Sequence, residues 1–272
     1  MASPSPAATY LDGILALHRS RAASDGRRTA WLHAEAEAYS AAHPPRAFAA
    51  SLRQGARPGG IAVIAEIKRR SPSKGDIAPV LDVADLARRY EAGGAAALSV
   101  LTDQTHFAGS AQDLRHARAA TTVPVLRKDF TVSANDVCDA RLMGADAVLL
   151  IVAALSDREL RVLLELAGEL GIAALVEVHD EAEAERALAS GASVVGVNQR
   201  DLRTFEVDGE RALRVGRYLP GTVVKVAESG IGSRDQVARL AAAGYDAVLV
   251  GEALVRSPDP AATVAGLRGD GA

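Results

Sequence analysis

The sequence predicts a (β/α)8 barrel with a short helical extension at its amino terminus. After about residue 60, short apolar runs alternate with longer amphipathic stretches, which is typical of βα units around a parallel sheet. The chain has 272 residues, close to the roughly 250 that such a barrel needs. Because no Gly-x-Gly-x-x-Gly follows the first run, an open dinucleotide-binding sheet is disfavoured.

The first 55 residues differ from the rest, because they contain helical spacing of apolar residues and no strand-like run. We therefore divide the chain into an extension, residues 1–55, packed on a barrel domain, residues 56–272. The candidate helices of the extension cover Tyr10 to Leu17, Ala30 to Tyr39 and Arg46 to Leu52.

Eight candidate strands follow, which is the number that a closed barrel needs. They are rich in Val, Ile, Leu and Ala without polar alternation, as expected for parallel strands covered by helices. The strands are Ile61–Ile67, Ala95–Leu101, Val123–Leu126, Ala145–Val152, Ala173–Val178, Ser193–Val197, Thr222–Ala227 and Asp246–Val250.

Four of these strands are entered through similar glycine-containing turns. We expect glycine there to end the preceding helix in the left-handed conformation. The recurrence is an internal repeat of the βα unit, which favours the barrel. The turns are Gly93-Gly94-Ala95, Gly144-Ala145-Asp146, Gly191-Ala192-Ser193 and Gly244-Tyr245-Asp246.

Composition excludes several classes of partner and location. The formal net charge of -3 provides no basic field for nucleic acid, and the longest apolar run, Ala147 to Leu155, is too short to span a bilayer. The single cysteine, Cys138, excludes an internal disulfide framework and is expected to pack in the core. With no evident signal peptide, we expect a cytoplasmic protein that is a monomer or a weak homo-oligomer.

Polar residues stand at the ends of the predicted strands, where barrel enzymes carry their catalytic groups. Glu66 and Lys68 are two apart and point the same way from the first strand. A salt-bridged layer inside the barrel would explain any one such pair. Polar groups at five strand ends favour a ligand site, because burying several charges is costly. The other ends are Lys128-Asp129-Phe130, Glu177-Val178-His179, Asn198-Gln199-Arg200 and Glu228-Ser229-Gly230.

The loops after the seventh and eighth strands suit a phosphate group, since barrels commonly bind phosphate there with backbone N–H donors. Ser229 and Gly230 lie in the first loop, and Gly251 and Glu252 in the second. These glycines could instead merely end strands. After the first strand, the segment from Ser71 to Gly75 is either a closing loop, with Ser71 or Lys74 reaching phosphate, or an ordinary solvated turn.

Two phenylalanines and two histidines fall near strand ends. Phe107 and Phe130 either sandwich an aromatic substrate or pack at the rim. His106 and His179 are potential proton carriers, but no cluster has metal-ligand spacing, so we predict no metal.

The strand-end segments resemble the indole-3-glycerol phosphate synthase family in position and order. The resemblance covers roughly residues 60 to 256 and includes every strand end, which makes it far more specific than any single motif. The similar segments are IAEIKRRSPSKG (64–75), SVLTDQTHFAGS (99–110), LRKDF (126–130), LVEVH (175–179), GVNQRDL (196–202), AESGI (227–231) and VGEAL (250–254).

The resemblance implies that 1-(2-carboxyphenylamino)-1-deoxyribulose 5-phosphate closes to indole-3-glycerol phosphate with loss of carbon dioxide and water, without a cofactor. Lys128 would be the general acid and Lys68 would hold the substrate carboxylate, although the two lysines could exchange roles. Glu177 would be the base, and Glu66 would orient the lysines. Asn198 and Glu228 would complete the polar ring.

The resemblance also implies substrate contacts. Arg200 would brace the site by holding two carboxylates, and Phe107 and Phe130 would lie near the anthranilate ring. The phosphate would lie on Ser71, Ser229, Gly230, Gly251 and Glu252.

The sequence differs from the family pattern in two places, and two alternative functions remain open. Residues 131–139 lack the Asp-Pro-Tyr-type sequence that is common in the family, and the extension matches too loosely to assign substrate contacts. A phosphosugar isomerase or a Schiff-base aldolase using Lys128 is the rival within the fold. An inactive barrel that serves as a scaffold is the non-enzyme rival.

Overall fold

The computed structural model describes residues 9–56, 60–201 and 204–269. A closed barrel of eight parallel strands forms its centre, in the order β1-β10-β9-β8-β7-β6-β5-β4. The predicted fold class is therefore confirmed. The strands are β1 Ala62–Ile67, β4 Ala97–Leu101, β5 Val125–Lys128, β6 Ala147–Ile151, β7 Ala173–Val178, β8 Val194–Asn198, β9 Val224–Glu228 and β10 Ala247–Val250, and a separate hairpin pairs β2 Arg70–Ser71 with β3 Gly75–Asp76.

Helices surround the barrel and alternate with its strands. Most of the longer ones begin at a Ser, Thr or Asp whose side chain accepts a backbone N–H of the first turn, as at Ser133, Ser156 and Ser233. The helices are α1 Tyr10–Ser24, α2 Thr29–Ala42, α3 Phe48–Gly55, α4 Val83–Ala92, α5 Gln104–Phe107, α6 Ala111–Ala120, α7 Ala134–Leu142, α8 Asp157–Glu169, α9 Glu181–Ala189, α10 Arg211–Val215, α11 Arg234–Ala242, α12 Glu252–Val255 and α13 Pro260–Arg268, with a 3-10 turn at Val152–Ala154.

The third strand differs most from its predicted bounds of Val123–Leu126. It begins at Val125, because Pro124 has no N–H for the ladder, and it continues to Lys128, which is in register with Leu101. The sixth and seventh predicted strands likewise extend by one residue, so that Asn198 and Glu228 pair with each other in the ladder. Apolar patterning ends before these strands do because their last side chains face the mouth of the barrel.

The predicted left-handed glycines are confirmed. Gly94, Gly144, Gly191 and Gly244 have φ of 85°, 96°, 88° and 83°, and Gly171, which the repeat did not include, has φ of 74°. In each case the next residue's N–H returns to a carbonyl of the helix that ends there, as from Ala145 to Ala140. The turn thus directs the chain from helix to strand with few residues.

The extension forms three helices, close to the three predicted, and each packs on a different part of the barrel. The first helix, α1, lies at the carboxyl end of the strands, where Leu11 and Ile14 are buried, and α2 packs on α7. The third, α3, covers the amino-terminal end, because it contacts β1, β4, β9 and β10 and Ser51 donates to the carbonyl of Ala96. The division at residue 55 stays a prediction.

Two predictions from composition concern the single cysteine and membrane-spanning segments. Cys138 is a buried free thiol on α7. Among the described residues, no helix is both long and apolar enough to cross a membrane.

Replacing Phe48 by alanine tests whether α3 stabilises the barrel. Phe48 is 1% exposed, and removing such a ring leaves a cavity, so we expect the free energy of unfolding to fall by about 3–5 kcal/mol. Urea denaturation followed by circular dichroism measures this. The control is Trp31→Ala on α2, where the ring is 57% exposed and little change is expected. Equal effects of the two substitutions would contradict the role of α3.

Candidate active site

A cavity of about 500 Å3 opens at the carboxyl end of the strands. The fourteen residues predicted to have a catalytic or substrate-binding role all line this cavity, although they come from separate strands and loops. Parallel strands bring their ends to one rim, which explains the convergence. These residues are Glu66, Lys68, Ser71, Phe107, Lys128, Phe130, Glu177, Asn198, Arg200, Glu228, Ser229, Gly230, Gly251 and Glu252.

Lys128 occupies the centre of the cavity, at the end of β5. Its ammonium group donates to Oε2 of Glu177 and to Oε2 of Glu228, each at 2.9 Å. Both glutamates are only 1% exposed. Burial of this kind strengthens the attraction between the charges and makes either unpaired partner costly.

The pKa values of Lys128, Glu177 and Glu228 are shifted in different ways by burial and by one another's charges. Burial alone would lower the pKa of Lys128, but the charges of Glu177, Glu228 and Glu66 outweigh it and raise that pKa. Burial raises the pKa of Glu228 to about 7, helped by the charges of Glu177 and Glu66 against that of Lys128.

The pKa of Glu177 shifts in the opposite direction to that of Glu228. Burial would raise its pKa, but Lys128, His179 and Asn198 together hold that pKa below its ordinary value. One lysine therefore pairs with an ionised carboxylate, Glu177, and with a carboxyl group, Glu228, that is near its titration point at neutral pH.

Beside this triad, Glu66 and Lys68 form the expected pair on β1 and its exit, with 2.5 Å between Nζ and Oε1. Two glycines make room for the glutamates. A Cβ on Gly251 would overlap Oε1 of Glu66, and a Cβ on Gly196 would overlap Oε1 of Glu228. Small residues at these positions are therefore a steric condition for the buried charges.

The loop after β9 has an unusual backbone. Ser229 and Gly230 both have positive φ, of 67° and 71°, and Gln199 holds the loop by donating to the carbonyl of Ser229 at 2.8 Å. Turns of this general kind can present backbone N–H groups to an anion. Gly251 begins α12 on the neighbouring strand end.

The segment after β1 is a hairpin. Ser71 is buried and lines the cavity on β2. Lys74, the alternative phosphate contact, is exposed in the turn and is absent from the cavity lining in the part of the chain that the structure describes.

The aromatic side of the cavity combines predicted and unexpected residues. The rings of Phe107 and Phe130 are 6.3 Å apart and tilted by 38°. The first helix adds Tyr10, Leu11 and Ile14 to the lining. Helical periodicity predicted α1 but could not show where it docks.

Arg200 does not make the expected contacts with two carboxylates. Its guanidinium donates to the carbonyl of Phe205 at 2.9 Å, and its backbone forms a bridge with Val207. Within the described residues, which omit 202 and 203, no carboxylate lies within ion-pair distance of it. Leu202, the last residue of one family-like segment, lies outside the described residues.

A histidine–aspartate cluster lies at the edge of the mouth. His18 of α1 and His106 of α5 both contact the carboxylate of Asp103, at 3.0 and 3.2 Å. Their nitrogen atoms and a carboxylate oxygen are close enough to hold a metal ion. Spacing could not reveal the set because His18 is far from the others in sequence, and the absence of a metal stays a prediction.

Other lining residues were also missed. Asp103 and Asp129 follow strands and line the cavity; Asp129 belongs to a predicted polar strand end but has no predicted role, and it pairs with Arg127 at 3.0 Å. Arg256, directly after α12, lines the cavity beside Glu252, with which it forms an ion pair.

Solved structures share this architecture. A thiamine phosphate pyrophosphorylase from Pyrococcus furiosus aligns with a TM-score of 0.59 at 18% identity and covers 80% of this chain and 96% of its own. An N-acetylmannosamine-6-phosphate 2-epimerase from Clostridium perfringens aligns with a TM-score of 0.58 at 14% identity and covers 74% of this chain and 90% of its own. At these identities the similarity concerns the fold alone.

The closed barrel and the lysine–carboxylate cluster at its mouth together define a (β/α)8-barrel enzyme. Sequence comparison identifies the particular family. The model of the indole-3-glycerol phosphate synthase family matches residues 11–267, and the chain belongs to this family, whose members are decarboxylating lyases of tryptophan biosynthesis.

Curated relatives agree. An indole-3-glycerol phosphate synthase of Nocardioides sp. is 57% identical over 213 residues, 78% of this chain and 82% of its own. The synthase of Mycobacterium ulcerans is 50% identical over 260 residues, 96% of this chain and 94% of its own.

The raised pKa of Glu228 predicts a titration that NMR can observe. In protein labelled with 13C at glutamate carboxyl groups, we expect one group to titrate near pH 7 and to vanish in Glu228→Gln. Glu210→Gln, at an exposed ion pair on the surface, is the control and should leave that signal in place.

Linkage gives the sign for stability. The raised pKa of the Glu228 carboxyl group stabilises the folded protein fully at pH values below the ordinary glutamate pKa near 4.5. This stabilisation is lost as the pH rises through about 7. A spectrum in which every glutamate titrates in the ordinary range would contradict the assignment.

Proposed function

We propose that this cavity closes 1-(2-carboxyphenylamino)-1-deoxyribulose 5-phosphate to indole-3-glycerol phosphate, the reaction for which the family is named. The observation that carries the proposal is Lys128, an ammonium held between buried Glu177 and Glu228 in a cavity of sufficient size. Ring closure needs an acid and a base in one water-poor site, and these groups supply both.

The substrate would span the cavity with its phosphate and its aromatic ring at opposite sides. The phosphate would accept N–H donors from Ser229, Gly230 and Gly251, with Ser71 and Glu252 beside it. The anthranilate ring would lie against Phe107 and Phe130, which line the same cavity. Lys68 would pair with the substrate carboxylate, because it is a cation at the mouth with one glutamate partner, Glu66.

The first step forms a bond between the ring carbon that bears the carboxylate and the ketone carbon. Electrons of the ketone bond move to oxygen, and Lys128 donates a proton to the developing alkoxide. The carbon–carboxylate bond then breaks, carbon dioxide leaves, and its electron pair restores the benzene ring. Because the carboxylates retain the proton on Lys128 until an alkoxide forms, the lysine is an acid suited to this step.

The second step removes the new hydroxyl group as water. Glu177 takes a proton from the carbon next to nitrogen, and the lysine that did not donate in the first step protonates the departing oxygen. The lowered pKa of Glu177 keeps this base ionised. Glu228 and Asn198 hold the neighbouring groups in place, and Glu66 orients Lys68. Arg200 braces the loop that follows β8 through the Phe205 carbonyl.

The Schiff-base alternative is less well supported by these contacts. Imine formation needs a neutral amine, and the three carboxylates raise the pKa of Lys128, which keeps it protonated. Borohydride treatment with substrate separates the two chemistries, because only an imine becomes a stable adduct on Lys128.

We also propose that the protein is cytoplasmic and a monomer or a weak homo-oligomer. A buried free thiol suits a reducing compartment. Among the exposed large apolar side chains, Trp31 lies on α2, Val162 lies on α8, and Val80 and Tyr218 lie in two different loops.

Lys128→Met tests the proposed acid. We expect turnover to be abolished while a substrate analogue still binds, because the charge acts mainly on the developing alkoxide. Indole fluorescence on mixing with substrate in EDTA, and calorimetry with the analogue, measure the two properties. Lys74→Met is the control, since Lys74 is exposed in the neighbouring hairpin. Near-normal turnover of Lys128→Met would remove Lys128 from the mechanism.

Gly230→Ala tests the phosphate site. A Cβ at φ 71° is strained and would overlap Val207, so the loop must shift. Because the phosphate is unchanged in the reaction, we expect KM to rise about tenfold or more with little change in kcat. Gly209→Ala, where a Cβ meets nothing within 4 Å, should behave as the parent protein. A fall in kcat at constant KM would place the phosphate elsewhere.

A further inference from the structure

A histidine lies behind Glu177, on the side away from Lys128. His179 comes two residues after Glu177, at the end of β7, so both side chains leave the strand on the same side. Its Nε2 is 3.6 Å from Oε1 of Glu177, whereas Lys128 binds the other oxygen, Oε2. The two oxygens of the carboxylate thus face different cations or potential cations.

Glu183 fixes the orientation of this imidazole. Its Oε2 is 3.1 Å from Nδ1 of His179 and accepts the backbone N–H of the same residue at 2.8 Å. A carboxylate at Nδ1 requires a proton on that nitrogen, which directs Nε2 towards Glu177. Glu183 lies in the first turn of α9, directly after the strand.

Nε2 of His179 is buried and has no hydrogen-bond partner among the residues that the structure describes. An unpaired buried nitrogen is costly unless a nearby group can use it. Oε1 of Glu177 is the carboxylate oxygen in reach, and a small rotation would close the distance to that of a hydrogen bond. His179 itself is absent from the described lining of the cavity.

We propose that His179, anchored by Glu183, is a positioning residue that holds Glu177 ionised and correctly oriented as the base. The proposal rests on the function proposed above. Glu183, His179, Glu177 and Lys128 then form a chain of alternating charge from α9 into the cavity. A base oriented by a further group is a general requirement of acid–base sites.

The charges around His179 support its protonated form. Burial lowers its pKa, but the hydrogen bond that its Nδ1–H donates to Glu183 and the charges of Glu177 and Glu183 raise that pKa overall, against the charge of Arg211. Arg211 of α10 donates to the carbonyl of Asn198 at 3.1 Å. Among the residues that the structure describes, the charged groups that act on this imidazole are the carboxylates of Glu177 and Glu183 and the guanidinium of Arg211.

The test compares substitutions of His179 in the full chain. His179→Gln keeps an N–H donor at a similar reach but removes the charge, and His179→Ala removes both. We expect the acid limb of the kcat profile to move to higher pH by about one unit, because an opposite charge within this distance lowers a carboxyl pKa by 1–3 units. KM should change little. Glu183→Gln should shift the limb in the same direction.

The control is His33→Gln, since His33 also faces two glutamates, Glu37 and Glu169, but lies on α2. Its profile should match that of the parent protein. A uniform fall in kcat at every pH, with no movement of the acid limb in His179→Gln, would show a structural role only and overturn the proposal.

A second readout does not depend on activity. The carboxyl signal of Glu177, identified as the one lost in Glu177→Gln, is followed by 13C NMR in the parent and in His179→Gln. We expect it to titrate at higher pH in the variant. An unchanged titration would overturn the proposal even in an active enzyme. An inactive parent protein with the shifted titration would instead refute only the proposed reaction.

Discussion

An ammonium group held between two buried carboxylates is the interaction on which the mouth of this barrel depends. If Glu66, Glu177 and Glu228 were all ionised, Lys68 and Lys128 would leave one negative charge uncompensated in a poorly solvated space. The structure relieves this because burial raises the pKa of Glu228, which makes this carboxylate easier to protonate than Glu177. The lysine keeps its proton, and one glutamate stays available as a base.

Accommodating these charges limits the residues around them. Gly196 and Gly251 leave the space that the carboxylate oxygens of Glu228 and Glu66 occupy. Most other strand residues are buried and apolar. The charged groups at the mouth hydrogen-bond to one another, Lys128 to Glu177 and Glu228 and Lys68 to Glu66, so a change in one of them alters the electrostatic balance of the others.

Much of the fold and the site was predictable because the relevant signals are local. Apolar runs mark buried parallel strands, and polar residues at or just after the end of a run must lie at the rim, as Glu66, Lys128 and Glu177 do in the cavity lining. Strand ends were less predictable, as at Val125–Lys128, because ladder pairing continues after the apolar pattern stops. The docking of α1, which brings His18 to Asp103, depends on long-range packing that no local pattern contains.

Closure of the sheet has a consequence for how the enzyme is made. The first strand pairs with the last, Ala62 with Ala247, and Gly251 lies against Glu66. During translation, Glu66 therefore leaves the ribosome long before the neighbour that completes its surroundings exists. The nascent chain must keep this carboxylate and its strand edge solvated or shielded until the last βα unit emerges. The barrel can therefore close, and the site can be completed, only at the end of synthesis.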